Sequence, residues 1–224
     1  MKLYTFPSSP GCRPIAMFIA DHGMDVEQQV VNLTAGEQYG PAFTAINPNN
    51  AVPVLEDGDF RLTESSAILK YLADLVESPT YPKDLKERAK VNAAMDWVNT
   101  GLYPAFGHNL CYPQVLPNLK WEDEKAQVLV LGRGQTRSRK LLGVMNDAML
   151  GDANPFLCGK VLSLADYMAA GILSMGELMA CDFSPWPNVE RWYRRMEAMP
   201  NWRSVNAPLY DWAQHTRGQE YVRV

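Results

Sequence analysis

The sequence predicts an α/β domain followed by an all-helical one, and three observations carry that expectation. Short β-like runs alternate with helical patterns up to residue 78, the stretch Ser78-Pro79-Thr80-Tyr81-Pro82 reads as a linker, and only helical periodicity follows it. The expected division is therefore 1–78, a linker over 79–86, and a helical domain over 87–224. In the first part, Lys2-Leu3-Tyr4-Thr5-Phe6 reads as a strand stopped by Pro7. Residues 13–22 place Ile15, Met17, Phe18 and Ile19 at near-helical spacing with Gly23 as the stop, and 26–33 is a second β-rich run. After a Gly/Pro-punctuated stretch over 36–50, Val52-Pro53-Val54-Leu55, a turn at Asp57-Gly58 and Phe60-Arg61-Leu62 form a hairpin. A capped helix beginning at Glu64, with Ile68, Leu69, Leu72, Leu75 and Val76 on one face, closes an order β-α-β-(α)-β-β-α.

Beyond the linker, 85–102 and 122–150 carry long 3.6-residue periodicities separated by a Pro-containing break over 103–117, and 164–180, 189–199 and 202–215 follow. Ser163 and Asp166 have capping-box spacing ahead of an apolar run.

The 224 residues are 47% hydrophobic and 21% charged, with a mean hydropathy of -0.23, which is the balance of a chain able to bury a core without staples. Four scattered cysteines and no signal-peptide pattern point to free thiols and the cytoplasm, and no apolar run reaches the ~18 residues a membrane span needs. The net charge of -4 argues against a nucleic-acid footprint. The charge is uneven: the first 78 residues hold four basic against ten acidic side chains, the remainder 17 against 15. His22, His108 and His215 lack ligand spacing and no Cys pair has C-x-x-C form, so no metal site is expected. Arg133, Arg137, Arg139 and Lys140 read as a solvated helix face.

The chemistry-bearing segment is Ser8-Ser9-Pro10-Gly11-Cys12-Arg13, between the first strand and the first helix, where unpaired N–H groups and the helix dipole favour an anion. Residues 9–12 have the C-x-x-C spacing of thiol-disulfide enzymes with Ser in the first place, so a sulfur nucleophile would come from a ligand and Ser9 would donate to its thiolate. The alternative is that Ser9 only caps the helix. A cis Val52–Pro53 bond would offer the Val52 peptide groups to an extended ligand, and the helix start at Glu64-Ser65 would take a carboxylate or be an ordinary cap.

The ordered set of Ser9 before Cys12-Arg13, Asn32-Leu33-x-x-Gly36-Glu37, Asn47-Pro48-x-x-x-Val52-Pro53-Val54-Leu55 and Leu62-x-Glu64-Ser65-x-Ala67-Ile68 resembles that of the glutathione S-transferases. The Leu-Ser-Leu-Ala-Asp run at Ser163 and Asp166 extends the resemblance over the whole chain, and Ser9 points to the theta/delta-like serine group, of bacterial source. The resemblance implies a thioredoxin-like first domain, a helical-bundle second domain and a cytoplasmic homodimer that conjugates glutathione, a cosubstrate rather than a cofactor, to small hydrophobic electrophiles in detoxification. In that homodimer the acidic first domain of one subunit would face the helical domain of the other.

By the same resemblance Ser9, with Ser8 as runner-up, steadies the sulfur. Val52-Pro53 pairs with the cysteinyl moiety, Glu64 and Ser65 hold the γ-glutamyl end, and Gln38 and Asn50 complete the binding set. Relatives often carry His or Lys where this chain has Gln38 and Asn50, and Arg where it has Ser66, which lowers the expected hold on glutathione. Phe6, Tyr103, Phe106, His108 and Tyr112 are the candidates for the electrophile pocket. Two other readings are a glutathione-dependent thiol oxidoreductase that uses Cys12 and a non-catalytic interaction module on the same fold.

Overall fold

A computed structural model describes all residues, Met1–Val224. The first domain is a four-stranded mixed sheet in the order β2-β1-β3-β4. β1 (Lys2–Thr5) sends Leu3 and Thr5 into the core and pairs in parallel with β2 (Glu27–Val30), Lys2 opposite Glu27. β2 is an exposed edge strand and shorter than the expected 26–33 run. It stops because Asn32 turns the chain: its Oδ1 accepts from the N–H groups of Thr34 and Ala35, both at 3.1 Å, and starts a 3₁₀ turn over Leu33–Ala35. β3 (Val54–Asp57) and β4 (Phe60–Thr63) form the expected hairpin, with Gly58 at φ +59° in its turn. α1 (Arg13–Asp21), the single turn α2 (Pro41–Thr44) and α3 (Ser65–Leu75) pack on this sheet. One expectation fails here: α3 has no side-chain cap, because Glu64 at its start makes no cap bond.

The second domain is all helix. α4 (Leu85–Trp97) is capped by Asp84 and does not end before Tyr103. The expected break over 103–117 is corrected by the structure, because the helix continues through wider π turns over Val98–Cys111 and into α5 (Tyr112–Val115), with Pro104 inside it. A wider π turn moves the i−4 carbonyl away from the proline ring, so Pro104 gives up its N–H bond without the clash that would break a regular helix.

α6 (Glu124–Val144) lies along this helix, and Gly134 lets the backbones close up: a Cβ there would stand 2.8 Å from the Asn109 carbonyl oxygen. α7 (Leu164–Leu173), a 3₁₀ turn over Ser174–Met179, α8 (Pro187–Glu197) and α9 (Trp202–Thr216) complete the bundle. Asp166 is buried and accepts from Ser163 N–H (2.9 Å), Ser163 Oγ (2.7 Å), Leu157 N–H (2.8 Å) and Trp192 Nε1 (2.8 Å), so it ties three segments together at the start of α7.

The two domains share one apolar core of 46 buried residues, running from Leu3, Ile15 and Leu55 through Leu102 and Leu173 to Leu209. Their seam is α1 against α7 and α9. Gly171 of α7 is the close approach, where a Cβ would stand 2.6 Å from Pro14 Cγ and 2.9 Å from the Pro10 carbonyl oxygen. Asp21 adds hydrogen bonds from Tyr167 and Asn201, both at 2.8 Å. No helix is long and apolar enough to cross a membrane.

Candidate functional site

The segment between β1 and α1 folds back on itself, with Ser9 N–H donating to the Phe6 carbonyl at 2.9 Å. The Ser9 carbonyl in turn accepts from Cys12 N–H (3.1 Å) and Arg13 N–H (3.0 Å), while its Oγ accepts from Gly11 N–H at 3.3 Å. Ser9 is therefore bound at the positive end of α1 with its hydroxyl half-buried.

Gly11 marks where the parts converge. A Cβ built on it would lie 3.0 Å from Ser65 Oγ, 3.8 Å from Pro53 Cδ and 3.8 Å from Ser9 Oγ, so three of the candidate residues border one small space. Ser8 turns elsewhere, its Oγ directed at the Pro208 carbonyl on α9 at 3.4 Å.

The Val52–Pro53 bond is cis, as the sequence suggested. It precedes the last ladder pair, Val54 with Thr63, so Val52 lies beyond the sheet. Asn47 shapes the preceding loop, donating to the Ala51 carbonyl (2.7 Å) and accepting from Asn49 N–H (3.0 Å). Asn50 adopts φ +53° and accepts from Thr44 Oγ1 at 2.8 Å.

Glu64 stands at φ +68°, in the left-handed region, exposed and with no cap bond. A non-glycine residue held there costs on the order of 1–3 kcal/mol, and such strain is typical of ligand-contacting positions. It leaves the first N–H groups of α3 without a side-chain partner, next to Ser65. Gln38 is buried, and its Oε1 has no hydrogen-bond partner in the chain.

Cys12 is 1% exposed and sits on Phe6, Ser9 and Thr5; burial pushes its thiol up, against the opposing pull of those neighbours. A buried, protonated thiol is a poor nucleophile, which weighs against the oxidoreductase reading. Cys111 and Cys181 are likewise raised by burial, Cys181 to about 11.

From the helical domain, Tyr103, His108 and Tyr112 come together. The two phenol oxygens are 2.7 Å apart, and the His108 ring lies 4.6 Å from Tyr103 and 5.3 Å from Tyr112. Tyr103 rests on Gly107, where a Cβ would be 2.5 Å from its ring. Burial raises both tyrosines and lowers His108, so this aromatic wall is neutral at physiological pH. Phe6 is half-buried, and its carbonyl accepts from Ser9 N–H. Phe106 is not on this wall: it is fully buried and packs 6.4 Å from Phe183 in the helical core.

Sequence reasoning missed Arg13, which is 2% exposed. Its Nη1 donates to Ser174 Oγ (2.6 Å) and Asn206 Oδ1 (2.5 Å), its Nη2 donates to the Gly171 carbonyl (2.9 Å), and its Nε has no partner. Burial lowers its pKa to about 10, which still leaves it charged at neutral pH. The available signal was a cation at the first position of a helix, where the dipole disfavours it.

These features define a two-domain protein in which a hydroxyl, a cis-proline turn and an uncapped helix start converge on one small space. The sequence matches two family models, "Glutathione S-transferase, N-terminal domain" over residues 1–74 and "Glutathione S-transferase, C-terminal domain" over 116–200. It is 33% identical to glutathione S-transferase theta-1 of Mus musculus over 201 residues, 88% of this chain and 82% of that one. With glutathione S-transferase D7 of Drosophila melanogaster it shares 30% over 90% of this chain and 87% of that one. Human glutathione transferase theta-2, solved with glutathione and an unknown ligand, superposes with a TM-score of 0.87 at 29% identity, covering 100% of this chain and 93% of that one. The chain belongs to the glutathione S-transferase family.

Proposed function

We propose that this protein is a theta/delta-like glutathione transferase that conjugates the glutathione thiolate to small hydrophobic electrophiles, with detoxification as its role. The convergence of Ser9, Pro53 and Ser65 around Gly11 is the observation that carries the reading, because it gathers a thiolate donor, a backbone turn and an uncapped helix start within one ligand's reach. Ser9 Oγ donates to the sulfur, the backbone at Val52-Pro53 pairs with the cysteinyl moiety, and Ser65 with the N–H groups of α3 takes the γ-glutamyl carboxylate. Glu64 accepts from the α-ammonium. Gln38, with its unpartnered Oε1, and Asn50 complete the glutathione site. The sulfur lone pair then attacks the electrophilic carbon, and the leaving group departs with the bonding pair. The protein contributes ionisation of the thiol and alignment of the two reactants. Phe6, Tyr103, His108 and Tyr112 provide the surroundings of the electrophile.

The working unit is a homodimer in which the acidic first domain of one subunit meets the helical domain of the other. Support comes from a groove of about 880 Å³ between the π turns and α6, lined by Arg133, Arg137 and Lys140 with no acidic side chain, and flanked by exposed Val128 and Leu129. The four unpaired thiols fit a reducing cytoplasm. The first domain is 1–78, and the linker is 79–84 rather than 79–86, because Asp84 caps α4 and the helical domain starts at Leu85. Purified protein incubated with glutathione and an activated aryl halide should yield the thioether faster than glutathione alone does. Identical product formation with and without the protein, across several electrophile classes, would overturn the activity.

A further inference from the structure

We propose that Arg13 sets the ionisation of the bound glutathione sulfur from behind the site: it touches no substrate, but its buried, unneutralised charge holds the thiolate form. The inference rests on the glutathione-binding reading above and assigns to Arg13 a role that packing alone does not explain. A guanidinium taken out of water costs several kcal/mol unless a counter-ion offsets it, and replacement by an apolar side chain of similar shape is often the more stable solution.

Arg13 has no counter-ion. Its three acceptors, Ser174 Oγ, Asn206 Oδ1 and the Gly171 carbonyl, are neutral, and its Nε has none at all. The titratable groups facing it are Cys12 on its own helix, Tyr103 in the π turns, Tyr112 of α5, Tyr193 of α8 and Tyr210 of α9, all neutral near pH 7. Neither carboxylate coupled to this cluster bonds Arg13: Glu177 accepts from Tyr193 at 3.4 Å, and Glu197 pairs with Arg194 at 2.8 Å.

The charge is also well placed. Arg13 is the first residue of α1, and its N–H bonds the Ser9 carbonyl at 3.0 Å. Its guanidinium thus lies behind the serine loop, on the Gly171 carbonyl where α7 closes against Pro10 and Pro14, and it adds to the positive end of the α1 dipole rather than opposing it. In general a unit charge still moves a titration by about one pH unit at a separation of about 10 Å when the effective dielectric is about 20.

The test is a titration of the bound thiol by its ultraviolet thiolate absorbance, with thermal melts run in parallel. Arg13→Met should raise the apparent thiol pKa by about one unit, a tenfold loss of thiolate below the pKa, whereas Arg13→Lys, which keeps the charge but not the fork, should titrate like the wild type even though it melts lower. Asn206→Asp covers the case in which Arg13→Met does not fold: it leaves Arg13 in place, sets a carboxylate beside it, and should raise the thiol pKa in the same direction. An unmoved thiol pKa in whichever of these variants folds, with the wild type binding glutathione normally, would reduce Arg13 to a packing residue. Failure of the wild type to bind glutathione at all would instead remove the glutathione reading and this inference with it.

Discussion

Ser9 and Cys12 occupy the same turn, yet only one of them offers a proton to a ligand. Ser9 Oγ is half-buried and accepts a single backbone N–H, while the Cys12 sulfur is sealed and kept protonated by burial. Ser9→Ala should lose the bond to a charged acceptor, worth ~1.5–3 kcal/mol or roughly 10- to 150-fold in kcat/KM at neutral pH, and Cys12→Ser should stay close to wild type in steady-state assays. Glu64 gives a sharper separation of binding from stability. With φ at +68° and no cap bond, Glu64→Gly should raise the melting temperature through a net gain of up to ~1 kcal/mol, the relieved strain less the entropy glycine adds to the unfolded chain, while raising KM for glutathione. Ser65→Ala should raise KM several-fold with little change in melting; a loss of ~1 kcal/mol of stability at constant KM would mark it as a mere cap. The placement of Ser9, Pro53 and Ser65 was legible because turn residues and helix starts announce themselves in sequence. Glu64 in the left-handed region was not, because glutamate carries no local preference for it, and the burial of Arg13 depended on α7 and α9, more than 150 residues away along the chain.

Most elements were readable from periodicity, and the largest miss was a helix that did not stop. The Pro-containing 103–117 segment looks like a break, but tertiary packing against α6 and the tolerance of π turns for Pro104 keep it wound, and that winding is what stacks Tyr103, His108 and Tyr112 together. Other elements meet at positions that admit no enlargement. Gly171→Ala would drive a methyl into Pro14 and the Pro10 carbonyl; the expected loss is about 1–3 kcal/mol in denaturant titration, with reduced kcat/KM because the displaced segment carries Ser9. Asp166→Ala would orphan four donors from Ser163, Leu157 and Trp192, and a fall of about 3 kcal/mol or more is expected by the same titration.

At the level of the whole molecule, the uneven charge seen in the sequence becomes a basic groove on the helical domain. Light scattering at micromolar concentration should give about 50 kDa, twice the 25.2 kDa chain mass, and Arg137→Glu should weaken association most at low salt. A mass near that of one chain would reject the dimer. Because a single core passes through both domains, calorimetry should record one cooperative transition rather than two. The Gly171 contact also limits how freely the halves of such proteins can be recombined. A first domain grafted from a relative would seat only on a recipient helix that lacks a side chain at that point, so chimeras should divide into soluble and insoluble sets according to one residue that lies in neither binding site.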